Sequence, residues 1–205
     1  MRKSLNKAQE LDIEARIKDL KANSKIDFSK SLPTKEEAIE IMKKLGLPKN
    51  IINHELAVMR KARDLAYNIT KVEVDIELVK IGALMHDIGR CVLHSMAHGP
   101  IGGDIIRKLG FKSSKKLARV VERHLLAGIS ADEAEKFDLP ERNYIPETIE
   151  EKLVCFSDKL HSGSRKVTIE KRFQRWIAKH GLNQFLKEQI NRAKILEEEI
   201  LGQIY

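Results

Sequence analysis

The chain has 205 residues, 42% hydrophobic and 33% charged, and its 38 Lys and Arg exceed its 30 Asp and Glu to give a net charge of +8. These totals exclude a disordered or membrane-spanning chain, because no apolar run approaches the roughly 20 residues a bilayer span needs. Two cysteines, Cys91 and Cys155, at no metal-like spacing, exclude a disulfide framework and a thiolate metal site. A single core is expected at this length. The first twenty residues mix acids and bases with no apolar leader segment, so a soluble, cytoplasmic protein without a membrane partner is expected. The positive charge favours anionic ligands. Lys and Glu are nevertheless interleaved along the chain, which makes nucleic acid a less favoured partner than a small phosphorylated molecule.

The periodicity is helical nearly throughout, with no alternating strand and no repeat, and this predicts an all-α fold. A first amphipathic helix is expected at about Leu5 to Leu20, followed by the polar linker "KANSKIDFSKSLP". In "PTKEEAIEIMKKLG", Thr34 and Glu37 form a capping box, Ile39, Met42 and Leu45 share a face, and Gly46 ends the helix. A helix from about Lys49 to Ile69 has Ile51, Leu56, Met59, Ala62, Leu65, Ala66 and Ile69 as its stripe and His54 in its first turns. The run from Ile76 to Met85 is apolar on almost every side, which predicts a central helix wrapped by the others and stopped by Gly89. Helices follow at about Gly99 to Leu109, Ser114 to Leu126, Thr148 to Leu160, Thr168 to His180 and Asn183 to Ile200, with a loop around Pro140 and Pro146. The expected organisation is an N-terminal helix and linker over 1–30, a metal-binding core over 31–165, and C-terminal helices over 166–205 packed on that core. In all, a bundle of about seven to nine helices is expected.

His86 and Asp87 are adjacent where the most apolar helix ends, and both are costly to bury without strong partners. A divalent ion is one such partner, since imidazole and carboxylate together suit Mn, Fe, Co, Ni or Zn. His54 precedes the pair, and His98, His124 and Asp158 follow on separate predicted helices or their ends.

The order His54, His86-Asp87, His98, His124, Asp158, with the short stretches "GALMHDIGR", "HGPIGG" and "FSDKL", resembles the HD-domain superfamily of metal-dependent phosphohydrolases over roughly residues 34 to 160. "HGPIGGDIIRKLG" is similar to the subgroup with two extra histidines, which binds two metals and includes bacterial diadenosine tetraphosphate hydrolases. The resemblance implies an all-helical fold and two divalent ions as cofactors. His54, His86, Asp87 and Asp158 would hold one ion, and His98 and His124 the other, with Asp87 as the bridge. It also implies a shared water, acidified to hydroxide, that attacks a phosphorus. The substrate expected is a phosphate ester or anhydride, a nucleotide by preference.

Arg90, three residues after Asp87, is a candidate for binding a phosphate in a bidentate fork. His94, four residues before His98, would align with it on a helix and is a candidate acid for the leaving group. Lys159, His161 and Arg165 are candidates for a basic mouth around Asp158. "RKVTIEKRFQRW" is basic with aromatic interleaving, a pattern that can contact nucleotides or nucleic acid, but Phe173 and Trp176 are rather expected to pack into the core with the charges solvated. Two other functions fit the same residues. One is a di-iron oxygenase with the same six ligands, and the other is a non-catalytic module that binds a nucleotide or nucleic acid. The long terminal helices leave a homodimer open.

Overall fold

The computed structural model describes residues 6–204, and among them helices dominate. In chain order they are α1 (Lys7–Asn23), α2 (Lys35–Lys44), α3 (Lys49–Asn68), α4 (Ile76–Met85), α5 (His98–Leu109), α6 (Ser114–Glu122), α7 (Ala131–Ala134), α8 (Ile149–Lys159), α9 (Ile169–His180) and α10 (Gln184–Gly202). Single 3-10 turns lie at Ile88–Cys91 and Glu135–Phe137, and strands β1 (His161–Ser162) and β2 (Arg165–Lys166) form a two-stranded antiparallel hairpin. The all-α expectation holds. Leu5, the expected start of the first helix, lies outside the described residues.

The apolar run is where its sequence demands. Leu78, Val79, Ile81, Ala83, Leu84 and Met85 of α4 are all buried, and α2, α3, α6 and α8 pack around them. Asp75 caps this helix, its side chain accepting from the Leu78 N–H at 2.9 Å. Thr34 and Glu37 close the expected capping box on α2, and Gly46 ends it at φ +82°. The predicted linker does not detach α1, because Ile13, Ile17 and Leu20 are buried and α1 packs on α2 and α5.

Three local expectations are corrected. The buried stripe of α3 is Ile52, Ala57, Val58, Met59, Ala62, Leu65 and Ala66, leaving Ile51, Leu56 and Ile69 only partly buried, and it includes the carboxylate of Glu55. Helix α6 ends at Glu122 rather than near Leu126, because Leu126 turns left-handed at φ 51° and reverses the chain before Gly128. The loop after it holds the one-turn helix α7, which a Ser130–Glu133 capping box stabilises, and the hairpin after α8 is the strand pair that periodicity missed.

Helix α10 reaches back to secure the reversal. Buried Gln189 accepts from the Ala127 N–H at 2.8 Å and donates to the Gly128 carbonyl at 2.9 Å. No helix among the described residues is long and apolar enough to cross a membrane.

Candidate metal centre

Five segments deliver one side-chain cluster. His54 comes from the first turns of α3, His86 and Asp87 from the end of α4, His98 from the start of α5, His124 from the turn after α6, and Asp158 from the last turn of α8. Glycines allow two of these segments to meet. The 3-10 turn after Asp87 touches the first turn of α5 so closely that a Cβ on Gly89 would lie 2.0 Å from the His98 carbonyl oxygen.

All four imidazoles are held in the same way. Nδ1 donates to a main-chain carbonyl in each: Gly163 for His54 and Ala83 for His86, both at 2.8 Å, and Ser95 for His98 and Val121 for His124, both at 2.6 Å. A carbonyl can only accept, so these bonds place the proton on Nδ1 and turn Nε2 inward. His86 Nε2 is buried with no hydrogen-bond partner. His98 Nε2 and His124 Nε2 lie 3.0 Å apart, and in the Nδ1–H tautomer neither has a proton to offer the other.

Each carboxylate turns one oxygen toward the rings and the other toward a cation. Asp87 Oδ1 is 3.0 Å from His98 Nε2 and 3.4 Å from His124 Nε2, while its Oδ2 pairs with Arg90 Nε at 2.7 Å. Asp158 Oδ1 is 3.0 Å from His54 Nε2 and 3.8 Å from His86 Nε2, while its Oδ2 meets Lys159 Nζ at 2.5 Å and Arg172 Nη2 at 3.7 Å. His54, His86 and Asp158 form one group of donors close enough for a single ion, and His86, Asp87 and His124 form another. Nitrogen and oxygen donors with bare lone pairs facing one another fit borderline divalent ions, and second bonds that orient each ring are what such a site needs.

The electrostatics follow from burial and partners. Burial pulls the His86 imidazole down to about 3, so it is neutral at pH 7, and burial lowers His124 as well. Burial opposes the charge on Asp158, but Lys159, Arg172 and His54 outweigh it and hold the carboxyl well below its ordinary range. Burial also lowers His54, yet the Asp158 carboxylate overrides it and leaves His54 raised. The cysteines take no part. Burial pushes Cys91 up to about 12 and Cys155 up to about 11, so both remain thiols.

Above the cluster opens a cleft of about 370 Å³ lined by His54, Asp87, His98, His124, Asp158 and Arg90, with Arg172 and Trp176 on one wall. Arg90 pairs with Asp87 through Nε, and its side chain reaches the cleft 28% exposed. His94 does not join. It sits in an exposed bend before α5, off any helix, and outside the cleft lining, so the expected alignment with His98 is absent. His161 is buried, donates from Nδ1 to the Ser157 carbonyl at 2.9 Å, and lines a separate cavity with Lys61 and Lys166. Arg165 is exposed on the hairpin, and the second cation beside Asp158 is Arg172. Trp176 is only half-buried, whereas Phe173 beside it is buried as expected.

Sequence reasoning missed Glu55, and it placed Trp176 in the core and Arg172 among solvated charges. Glu55 is fully buried and accepts the Asp87 N–H at 3.0 Å, which fixes the main chain at His86 and Asp87. Burial first, and Asp87 second, raise its carboxyl well above the usual range. Its position directly after His54 was the available signal.

Comparison with known proteins agrees with this architecture. The HD domain matches residues 51–163, more than half of the chain, and the protein belongs to the HD-domain family. It is 41% identical to an uncharacterized protein of Methanocaldococcus jannaschii over 167 residues, which cover 80% of this chain and 95% of that one. Over 142 residues it is 37% identical to the tRNA (cytidine(56)-2'-O)-methyltransferase of Thermoplasma volcanium, covering 69% of this chain and 40% of the relative. Over 110 residues it is 32% identical to the Ribonuclease Y of Fusobacterium nucleatum, covering 49% of this chain and 20% of the relative. The chain thus spans less than half of either enzyme. No solved structure matches it.

Proposed function

We propose that the protein is a phosphohydrolase with two divalent ions that cleaves a phosphate ester or anhydride of a nucleotide. One observation carries this reading. Four imidazoles with Nε2 turned inward, and one oxygen from each of two carboxylates, converge under a cleft whose walls carry arginines. His54, His86, Asp87 and Asp158 would hold one ion, and His98 and His124, with Asp87, would hold the second, the assignment that the resemblance to the HD subgroup with two extra histidines implies. Ions bound there supply a water acidified toward neutral pH and a Lewis acid for phosphoryl oxygens.

The chain's own groups do the rest. The Nδ1 bonds fix each ring before substrate arrives, so no reorganisation is required during the reaction. Arg90 and Arg172 bind phosphate oxygens, because both guanidinium groups border the cleft. Lys159 is already engaged by Asp158 and by the His124 carbonyl at 2.9 Å, so it holds the ligands in place and leaves substrate to the arginines. His94 is given no step.

The test is metal analysis of protein reconstituted with Mn, Co, Ni, Fe or Zn, followed by phosphate release over a nucleotide panel. Two equivalents of metal with phosphate release, both lost in Asp87→Ala, are expected. Saturation below two equivalents overturns the dinuclear assignment, and oxygen uptake with iron but without phosphate release makes the protein an oxygenase instead.

The relatives named for RNA favour a second reading, in which the phosphate lies in an RNA chain. That activity would fall steeply with salt, because phosphate contacts along a polyanion release counterions, whereas cleavage of a small nucleotide would depend on salt only weakly.

A further inference from the structure

One wall of the cleft comes from outside the HD domain. The domain match ends at residue 163, and Arg172 and Trp176 enter the cleft from α9, four residues apart and therefore on one face of that helix. Trp176 is the one aromatic residue other than histidine among the cleft-lining residues. Its ring is held by buried Phe173, edge to face at 90° with centroids 5.4 Å apart, and it stays half-buried at the cleft.

Arg172 lies between this ring and the ligand cluster. Its guanidinium carbon is 5.6 Å from the indole centroid, Nη2 is 3.7 Å from Asp158 Oδ2, and Nη1 donates to the His161 carbonyl. Its Nε–H is buried without a partner. Arg175, on the same helix, donates to Ser162 Oγ at 2.9 Å and ties α9 to the hairpin turn whose Gly163 carbonyl orients His54. From the carboxylate outward, the order is therefore ligand, guanidinium, indole.

That order matches a molecule whose phosphate and flat aromatic base are joined by a short sugar. We propose that α9 forms a nucleobase subsite in which Trp176 stacks the base and Arg172 holds the adjoining phosphate, so that the cleft selects nucleoside phosphates over phosphate esters without a base. The subsite deepens the phosphohydrolase reading and rests on it for the chemistry, but it can be measured by binding alone. Stacking does not depend on which base is present, since every base has a π-face.

The chain has one tryptophan, so all of its tryptophan emission reports on this position. Metal-loaded protein is titrated with AMP, with a short RNA and with ribose 5-phosphate while fluorescence is recorded. Saturable quenching by AMP places a mononucleotide in the subsite, and quenching by the RNA alone places a nucleic-acid base there. Either result supports the proposal when ribose 5-phosphate leaves the emission unchanged. In parallel, Trp176→Leu lowers the ratio of kcat/KM for AMP to that for ribose 5-phosphate by roughly ten- to a hundredfold, the range that base stacking on an aromatic ring supplies, and Trp176→Phe restores most of it.

Absence of quenching by both AMP and RNA overturns the proposal. So does an equal loss on both substrates in Trp176→Leu that phenylalanine does not repair, which is the signature of packing alone. The two readings fail separately: quenching by AMP with no phosphate released from any substrate retains the subsite and removes the hydrolase, and hydrolysis without quenching does the reverse.

Discussion

Replacing Gly89 with alanine tests how the two halves of the metal centre are held together. At an unconstrained position the change stabilises a protein by about 0.4–1 kcal/mol, because the unfolded chain loses freedom. Here the added Cβ would sit 2.0 Å from the His98 carbonyl oxygen, 2.7 Å from the Gly102 nitrogen and 2.9 Å from the His98 carbonyl carbon. All three are main-chain atoms of α5, so no flexible side chain can give way. Ordinary carbon-to-carbonyl contacts lie at about 3.3–3.6 Å, and the two segments must part by about an ångström. Overpacking of this kind costs about 1–3 kcal/mol and occasionally more, which exceeds the entropic gain. A net loss of about 2 kcal/mol is expected, or a Tm lower by roughly 4–8 °C for a chain of this length. The atom struck belongs to His98, whose Nε2 faces Asp87 Oδ1 at 3.0 Å, so in the proposed two-ion centre the ion assigned to His98 and His124 should weaken more than the ion assigned to His54 and Asp158. Urea denaturation and metal analysis read the two effects. Gly202→Ala is the control, since a Cβ there meets nothing within 4 Å. If Gly89→Ala proves as stable as that control and binds metal as wild type does, the close approach of the two backbones is refuted.

Acid should destabilise the metal-free protein well above the carboxylate range. His86 is held to about 3 against an ordinary 6.5, so between those values the unfolded chain binds a proton that the folded chain refuses, and stability falls with pH at up to about 1.4 kcal/mol per unit. His124 and His161, lowered by burial, act in the same sense. His54, raised, opposes them, with its contribution present below 6.5 and lost above its folded value. Asp158 adds its own loss only below about 4. Urea denaturation in chelator at pH 7 and pH 5 measures the balance, and equal or greater stability at pH 5 refutes it. Lys159→Met removes the cation beside buried Asp158, which should cost about 3–5 kcal/mol without metal and clearly less with metal bound; equal losses in the two states would separate Asp158 from the ion. Glu151 is 2% exposed and accepts from Arg119 at 2.8 Å and Arg123 at 3.2 Å, and Arg123 keeps Glu147 at 2.8 Å when it is removed. Glu151→Ala should therefore cost about 3 kcal/mol, the lower end for breaking a buried pair, and a loss below about 1 kcal/mol in urea would count against the network.

Much of the scaffold can be read along the chain because its signals are local. Thr34 and Glu37, the apolar run of α4 and the glycines at 46 and 110 mark elements within a residue or two of where they form. Periodicity failed where a tertiary contact overrode it. Helix α6 stops short of the left-handed turn at Leu126, and Gln189, far along the chain, secures the reversed main chain at Ala127 and Gly128. His94 lies at a helical interval from His98, but the bend between them turns it to solvent.

The sequence by itself determined the helical class and the buried centre, since apolar periodicity is a property of neighbouring residues, and the resemblance to the HD-domain superfamily supplied six candidate donors. Only the tertiary structure decided which nitrogen of each ring faces inward, which carboxylate oxygen is left for an ion, that Glu55 rather than an apolar residue lies beneath Asp87, and that Arg172 and Trp176 join the cleft from α9. Those outcomes depend on bonds between segments distant in sequence, such as His54 to Gly163 and Arg172 to Asp158. No local pattern encodes such a bond, because its strength depends on a distance of a few ångströms that exists only after the helices have packed.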